Sequence, residues 1–412
     1  MKIKFNKLLI SFIMIISILD FNNFIFCDDI SEDEPIDIYE ISQETVRNTA
    51  SIAPKIVSRA SIVMDTVSGR VLYEKNAYSR RPMASTTKIM TAIVALEEGK
   101  LNDIVTVNPR AARIGGSSAH LVKGEKLRLE ELLYGLMLPS GNDAAIAIAE
   151  HIGGTVENFA SMMTNKAKQI GAYNTAFVTP HGLDKDGHFT TAYDLAVITR
   201  YALRNKKFSE IVGTYKTIIS APNNGSRVLR NTNEMLAGYY GADGVKTGYT
   251  GKAGRCLVTS ATRDNWRVIS VVLGSNSRHQ RSYDSTKILN YVFNNYRLVD
   301  LNSQKEINIS VPVWKGKEAR LEISVQEKVL FPLSKDEINQ LNVRYDLPQY
   351  ITAPIEKGTK IGTAVYSIGR IDCMRIDLFA SKKIEKKGVT DYTGEIYMKW
   401  IDIMRYKLMS LI

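Results

Sequence analysis

The spacing of apolar residues changes along this chain, and each change marks a new kind of element. Ala60 to Met64 and Arg70 to Tyr73 are short β-rich runs joined by Asp65-Thr-Val-Ser-Gly69, which predicts a hairpin. After Pro82 the spacing lengthens. Ile89, Met90, Ala92, Ile93 and Leu96 fall on one helical stripe that Gly99 closes. Leu127 to Leu138 and Ala144 to Ile152 predict a pair of apolar helices, with Pro139-Ser-Gly-Asn-Asp143 as the turn between them. Beyond the loop Thr179-Pro-His-Gly-Leu-Asp184, Ala192 to Leu203 predicts another helix. From Gly244 the period drops to two, so Gly244 to Thr250, Cys256 to Thr262 and Trp266 to Leu273 predict antiparallel strands. With the first hairpin these make about five strands covered by the intervening helices, an α/β fold on an antiparallel sheet.

Near Arg297 the pattern changes character. Glu306 to Val313 and Leu321-Glu-Ile-Ser-Val325 alternate, while Lys357-Gly358 and Gly362 mark turns. Residues 297–381 therefore predict a small all-β domain, following the helix-covered domain of 56–296. The Lys/Glu-rich stretch Lys382 to Lys387 opens a linker over 382–396. In the last segment, 397–412, Trp400, Ile401, Met404, Leu408, Leu411 and Ile412 gather on one face of a helical wheel, with Lys399, Asp402, Arg405, Lys407 and Ser410 opposite. Too short and too charged to span a bilayer, this amphipathic helix suits the surface of an anionic membrane; the alternative is a final helix docked on the β domain. At the other end, Lys2, Lys4 and Lys7 precede the apolar run Leu8 to Leu19. That predicts a secretory signal peptide over 1–27 and a polar leader over 28–55, with an uncleaved anchor as the alternative. Cys27 follows the bulky Phe26, where a lipoprotein signal wants a small residue.

Composition narrows the picture only at its edges. A chain of 412 residues with 44% hydrophobic and 24% charged residues has an ordinary globular makeup with ample core. A net charge of +11 raises the question of nucleic acid. The Lys and Arg residues are spread out, however, and no nucleic-acid motif accompanies them, so no nucleic acid is expected as a partner. A diffuse basic surface suits an anionic wall or anionic lipids equally well. Cys256 and Cys373 lie far apart, and the five histidines lack metal-ligand spacing, so neither a disulfide framework nor a metal or cofactor is expected.

Three short segments carry the chemistry. Ser85-Thr-Thr-Lys88 is the one S-x-x-K in the chain and opens the first helix. It sets a hydroxyl one turn from an amine, a nucleophile beside its candidate base, where the helix dipole favours developing negative charge. Ser140-Gly-Asn142 adds a second hydroxyl and an amide on a tight loop between rigid supports. Lys246-Thr-Gly248, the one K-T-G, puts a fixed positive charge and a hydroxyl on a strand, which is what a substrate carboxylate needs. Singly each is a weak signal. Together, in this order and in these local structures, they make an acyl-transfer site.

With these segments the chain resembles the low-molecular-weight penicillin-binding proteins, the serine D-alanyl-D-alanine carboxypeptidases. The resemblance runs from Ala60 to about Phe293, through Pro82-Met-Ala-Ser-Thr-Thr-Lys88, Leu138-Pro-Ser-Gly-Asn-Asp-Ala144, His181-Gly-Leu-Asp184 and Asp243-Gly-Val-Lys-Thr-Gly-Tyr249. The β-rich second domain and amphipathic tail match that family's layout by pattern. What the resemblance implies is a penicillin-binding/β-lactamase-like transpeptidase domain, acting on peptidoglycan stem peptides that end in D-Ala-D-Ala. It implies acylation by β-lactam antibiotics, and export to the outer face of the cytoplasmic membrane and the cell wall. Ser85 would attack the penultimate carbonyl, and Lys88 would take the proton, its pKa lowered by Lys246 and by desolvation. Ser140 would relay a proton to the leaving amine. Asn142 would bind the substrate amide, and Lys246 and Thr247 of the Lys246–Gly248 motif its carboxylate. The N–H groups of Ser85 and Tyr249 would form the oxyanion hole. Arg281 is a further candidate for the carboxylate, with a purely structural role as the alternative.

His181 invites a triad reading, but Lys88 already supplies a base, so His181 and Asp184 are expected to pin their loop. Three rivals remain. A class A-type β-lactamase needs a general-base Glu in an E-x-x-L-N element, which Glu157, Glu210 and Glu234 do not supply. An endopeptidase on wall cross-links would share every catalytic residue. A silent wall-binding or penicillin-sensing module would not need both lysines.

Overall fold

Five strands form the sheet that the alternating segments predict. β1 (Ala60–Asp65), β2 (Val71–Lys75), β3 (Ala242–Thr250), β4 (Gly254–Arg263) and β5 (Trp266–Ser275) lie in the order β2-β1-β5-β4-β3, antiparallel at every step. The computed structural model describes residues 52–304, 309–325 and 328–409, so the expected signal peptide and most of the leader lie outside the described residues. It divides into two units, Met1–Asn294 and Asn295–Ile412.

In the first unit both faces of the sheet are covered. Val258 and Val271, cross-strand partners, belong to the same core as the helices α1 (Lys88–Glu98), α2 (Leu129–Met137), α3 (Asn142–Gly153), α4 (Val156–Gln169) and α5 (Ala192–Ala202). Their neighbours Thr259 and Ser270 point the other way, as period two requires, and meet Ser285 of α6 (Arg278–Asn295) at 3.4 and 3.1 Å. This makes a three-layer sandwich. Ile89, Met90, Ile93 and Val94 of α1 are all buried, each large side chain contributing roughly 1.5–3 kcal/mol. The helix that follows Ser85 is therefore held on every side.

Several helices were not legible in the apolar pattern, the two longest being α4 and α6. The stripe of α4 is diluted by small residues such as Ala160 and Ala167, and α6 hides its period by burying Ser282, Asp284, Ser285, Thr286 and Asn290. A hairpin of Lys216–Ala221 and Gly225–Arg230 also went unpredicted, because its cross-strand pair Ile218 and Val228 is exposed.

The second unit pairs Tyr296–Asp300 with Leu330–Ser334 and is built mainly on a six-stranded sheet of β6 (Ser310–Trp314), β7 (Arg320–Ser324), β8 (Leu341–Asp346), β9 (Ile351–Thr352), β10 (Lys360–Ile368) and β11 (Ile371–Ala380), in the order β8-β10-β11-β7-β6-β9. Gly362 was expected in a turn and instead lies inside β10, at a break in register. A Cβ there would sit 2.4 Å from the Asp346 carbonyl oxygen, so the glycine permits close approach of β8. The expected linker also differs. Ile384 is buried and exchanges two 2.9 Å backbone hydrogen bonds with Ile355, so this stretch adds to the domain's edge. The terminal helix α7 spans Val389–Met409 and starts at Val389 rather than Tyr397, because Asp391 accepts from the Gly388 N–H (2.8 Å) and caps it.

Candidate active site

The S-x-x-K segment owes its geometry to a 3₁₀ turn. Ala84–Thr87 form that turn and α1 continues from Lys88. In a 3₁₀ turn residues i and i+3 eclipse, which stacks the Lys88 side chain over Ser85. Lys88 Nζ donates to Ser85 Oγ at 2.9 Å. It also donates to Asn142 Oδ1 at 2.7 Å and to the His181 carbonyl oxygen at 2.9 Å. Lys88 is fully buried, whereas Ser85 keeps partial exposure.

Ser140 sits in the left-handed region at φ 64°, which turns the chain sharply between α2 and α3. Gly141 must be glycine, since a Cβ would meet Asp143 Oδ1 at 2.5 Å and the Gly135 carbonyl oxygen at 2.8 Å. Ser140 Oγ is buried without a hydrogen-bond partner among the described residues, a hydroxyl held in reserve. Asn142 Nδ2 donates to the Gly115 carbonyl oxygen at 2.8 Å, so its carboxamide is oriented from both ends. Its Oδ1 keeps a second lone pair for a further donor.

β3 is an edge strand, and it presses against the Ala84–Thr87 turn. A Cβ on Gly248 would lie 2.9 Å from Ser85 N and 3.1 Å from Thr86 N, so only glycine lets the strand approach. This brings the Lys246–Gly248 segment beside Ser85. Lys246 and Thr247 are buried, and Thr247 Oγ1 shares a 2.7 Å hydrogen bond with Thr232 Oγ1. Tyr249 is half-buried, with the Arg255 guanidinium 4.2 Å from its ring centre.

Arg281 on α6 is wholly buried. Its Nη2 lies 3.1 Å from both carboxylate oxygens of Glu234, which also accepts from Ser282 Oγ at 2.6 Å. Glu234 therefore offsets much of its charge. Arg281 reaches the site's surroundings through this pair, since Asn233, next to Glu234, donates to the Gly244 carbonyl oxygen of β3 (2.9 Å). His181 contributes its backbone oxygen to Lys88, while its ring Nδ1 accepts from the Leu183 N–H at 3.1 Å. Burial, and then the charge of Lys88, push the imidazole down to about 3, so the ring is neutral. Asp184 accepts from Thr250 Oγ1 (2.8 Å) and ties the loop to the end of β3.

Sequence reasoning missed Thr232, Gly115, Thr87 and His188. Thr232 and Gly115 are ordinary residues that tertiary packing alone brings to the site, and Thr87 lies inside the Ser85–Lys88 segment without a signal of its own. His188 carried one signal, a second histidine in the loop of His181, but no spacing rule connects it to Thr87. The three carboxylates weighed as deacylation bases are engaged: Glu157 with Arg110, Glu210 with Lys207 and Tyr134, and Glu234 with Arg281.

A hydroxyl bonded to a buried amine, beside a strand that carries a second lysine and a threonine, is the arrangement that serine acyl-transfer chemistry needs. The chain belongs to the D-alanyl-D-alanine carboxypeptidase family: that family's pattern matches residues 47–277, and the C-terminal domain of penicillin-binding protein 5 matches residues 295–386. It is 38% identical over 360 residues to the D-alanyl-D-alanine carboxypeptidase DacF of Bacillus subtilis, covering 86% of this chain and 92% of that one. DacA of Escherichia coli K12 is 34% identical over 328 residues, 76% of this chain and 80% of that protein. Among solved structures, penicillin-binding protein 5 of Haemophilus influenzae superposes with a TM-score of 0.70 at 30% identity, covering 81% of this chain and 99% of that one. The protein is thus a serine D-Ala-D-Ala carboxypeptidase, a helix-covered antiparallel sheet followed by an all-β domain.

Proposed function

We propose that Ser85 Oγ attacks the penultimate D-Ala carbonyl of a peptidoglycan stem peptide, releases the terminal D-Ala, and yields the acyl-enzyme to water. The observation that carries this is the 2.9 Å contact of Lys88 Nζ with Ser85 Oγ, on an amine that burial favours in its uncharged form. Lys88 takes the hydroxyl proton as the Oγ–C bond forms. Ser140 passes a proton to the departing nitrogen as the C–N bond breaks. Lys246 and Thr247 hold the substrate carboxylate, and the Ser85 and Tyr249 N–H groups hold the oxyanion. Asn142 binds the substrate amide through its remaining lone pair. Arg281 adds to the field at the carboxylate from behind β3, damped by Glu234. Penicillins acylate the same Ser85.

Membrane attachment follows from the tail. No described helix is long and apolar enough to cross a membrane. Along α7, Ile396, Trp400 and Ile403 lie on one face and are 69%, 61% and 56% exposed. A face of that kind supports a helix lying in the interface over one docked on its own domain, and so supports export to the outer face of the cytoplasmic membrane. The site reading is tested by incubating the purified enzyme with a stem pentapeptide and a labelled penicillin. Released D-Ala and a stable adduct on Ser85, both lost in Ser85→Ala, are expected; labelling that persists at another serine would overturn it.

A further inference from the structure

A peptide oxyanion donor is only as good as the direction in which its N–H points, and the peptide between Ala84 and Ser85 is held in an unusual way. Ala84, a non-glycine residue, has φ 49°, in the left-handed region. The peptide is planar and trans, so its C=O and N–H point in opposite directions. Whatever fixes the Ala84 oxygen therefore aims the Ser85 N–H.

Thr87 Oγ1 donates to the Ala84 oxygen at 2.8 Å, and the same Oγ1 lies 2.8 Å from His188 Nε2. The other ring nitrogen settles the direction of that bond. The Val178 N–H donates to His188 Nδ1 at 3.0 Å, which places the ring proton on Nε2 and makes Nε2 the donor to Thr87. The three bonds then run one way, from Val178 through the imidazole and the threonine hydroxyl to the Ala84 carbonyl. Ala84 and Thr87 are almost fully buried and His188 is 6% exposed. Phe177 packs edge-to-face on the imidazole, with centroids 5.9 Å apart, which fixes the ring plane. Gly182 closes the other side: a Cβ there would fall 1.9 Å from the Ala84 oxygen.

We propose that His188 is a positioning residue for acylation, acting through Thr87 to orient the peptide whose N–H forms one half of the oxyanion hole. This rests on the assignment of Ser85 as nucleophile and of its N–H as oxyanion donor. His188 touches no reacting atom. Its effect belongs to the transition state, because the carbonyl oxygen needs that N–H most when it becomes an oxyanion.

The test uses the exported enzyme with His188→Leu, His188→Gln and Thr87→Val, each normalised to sites titrated by a slow labelled penicillin. His188→Leu removes the donor to Thr87. In His188→Gln the amide nitrogen restores that donor but not the acceptor for Val178. In Thr87→Val the link to the Ala84 oxygen is lost at nearly constant shape. Expected for His188→Leu and Thr87→Val is a fall of about 10- to 100-fold in the acylation rate constant per titrated site, against roughly 10²–10³ for outright loss of a donor. KM for the peptide should stay within about twofold, and affinity for a boronic acid that forms a tetrahedral serine adduct should fall with the rate. His188→Gln should recover most of the loss, and Leu combined with Val should cost little more than either alone. The proposal is overturned if activity falls only in proportion to the titrated sites, or if Gln behaves like Leu. Should penicillin fail to label Ser85 in the unmodified enzyme, the nucleophile assignment fails instead, and the two failures are told apart in one experiment.

Discussion

Mild acid should weaken the catalytic domain before any carboxylate is protonated. Two imidazoles are buried neutral: His181 is pushed down to about 3 and His188 to about 4 from the usual 6.5, burial being the leading cause in both. With folded values below the unfolded one, the unfolded chain binds more protons between these limits, so stability is full above about pH 6.5 and falls as the pH drops toward the folded values. Going from about pH 7.5 to about pH 5, each site should lose roughly 2 kcal/mol, and the pair about 4 kcal/mol. That is much of the typical 5–15 kcal/mol that holds a domain together. Depressed carboxylates such as Glu131 and Asp372 act in the opposite pH range, their contribution being lost below about pH 4.5, so the window above pH 5 belongs to the histidines. The assay is urea unfolding at both pH values, followed through loss of penicillin-labelling sites so that only the first domain is read. His188→Gln should remove about half of the difference. A shift under about 1 kcal/mol between the two pH values would show that the rings are not buried neutral.

Three further outcomes follow from contacts described above. Gly248→Ala places a Cβ 2.9 Å from Ser85 N and must push β3 off the nucleophile turn; acylation should fall by about 10²-fold or more while melting temperature changes little, and normal acylation would mean that β3 yields freely. Lys246→Ala should raise KM and lower kcat for the peptide, whereas Lys88→Ala should remove acylation itself; a Lys246→Ala enzyme that acylates normally refutes the carboxylate assignment. Deleting 389–412 should release a protein that still cleaves small peptides but no longer floats with anionic liposomes, whose attraction for Lys399 and Arg405 is about 1 kcal/mol each; if the full-length protein also fails to float, the interfacial role of α7 is wrong.

Much of this was readable in advance because the signals were local. The sheet strands alternate or run apolar, α1 carries a clean stripe, and Ser85, Lys88, Ser140 and Asn142 stand at fixed short spacings on elements the pattern marks. What escaped was set by tertiary contact. The first turns of α6 bury hydroxyls and a carboxylate, so its apolar period is confined to Ile288, Leu289, Val292 and Phe293 near the end. Gly362 looked like a turn because glycine serves turns and close approaches alike, and only the neighbouring strand decides which. The partners Thr232 and His188 come to the site from 15 residues before Thr247 and 101 residues after Thr87. No spacing rule links such partners.

Under the proposed acylation, the environment of Lys88 bears on which proton can move. Two of the acceptors around its nitrogen, Asn142 Oδ1 and the His181 backbone oxygen, are carbonyls, and a carbonyl has no hydrogen to give back. When the lysine sheds a proton, the two N–H bonds aimed at those carbonyls stay, and the lone pair that appears faces the serine hydroxyl, the one of these three neighbours able to donate. The amide of Asn142 and the loop of His181 thus act as a valve under the proposed acylation: by holding two N–H bonds of the lysine, they turn its lone pair toward the Ser85 hydroxyl.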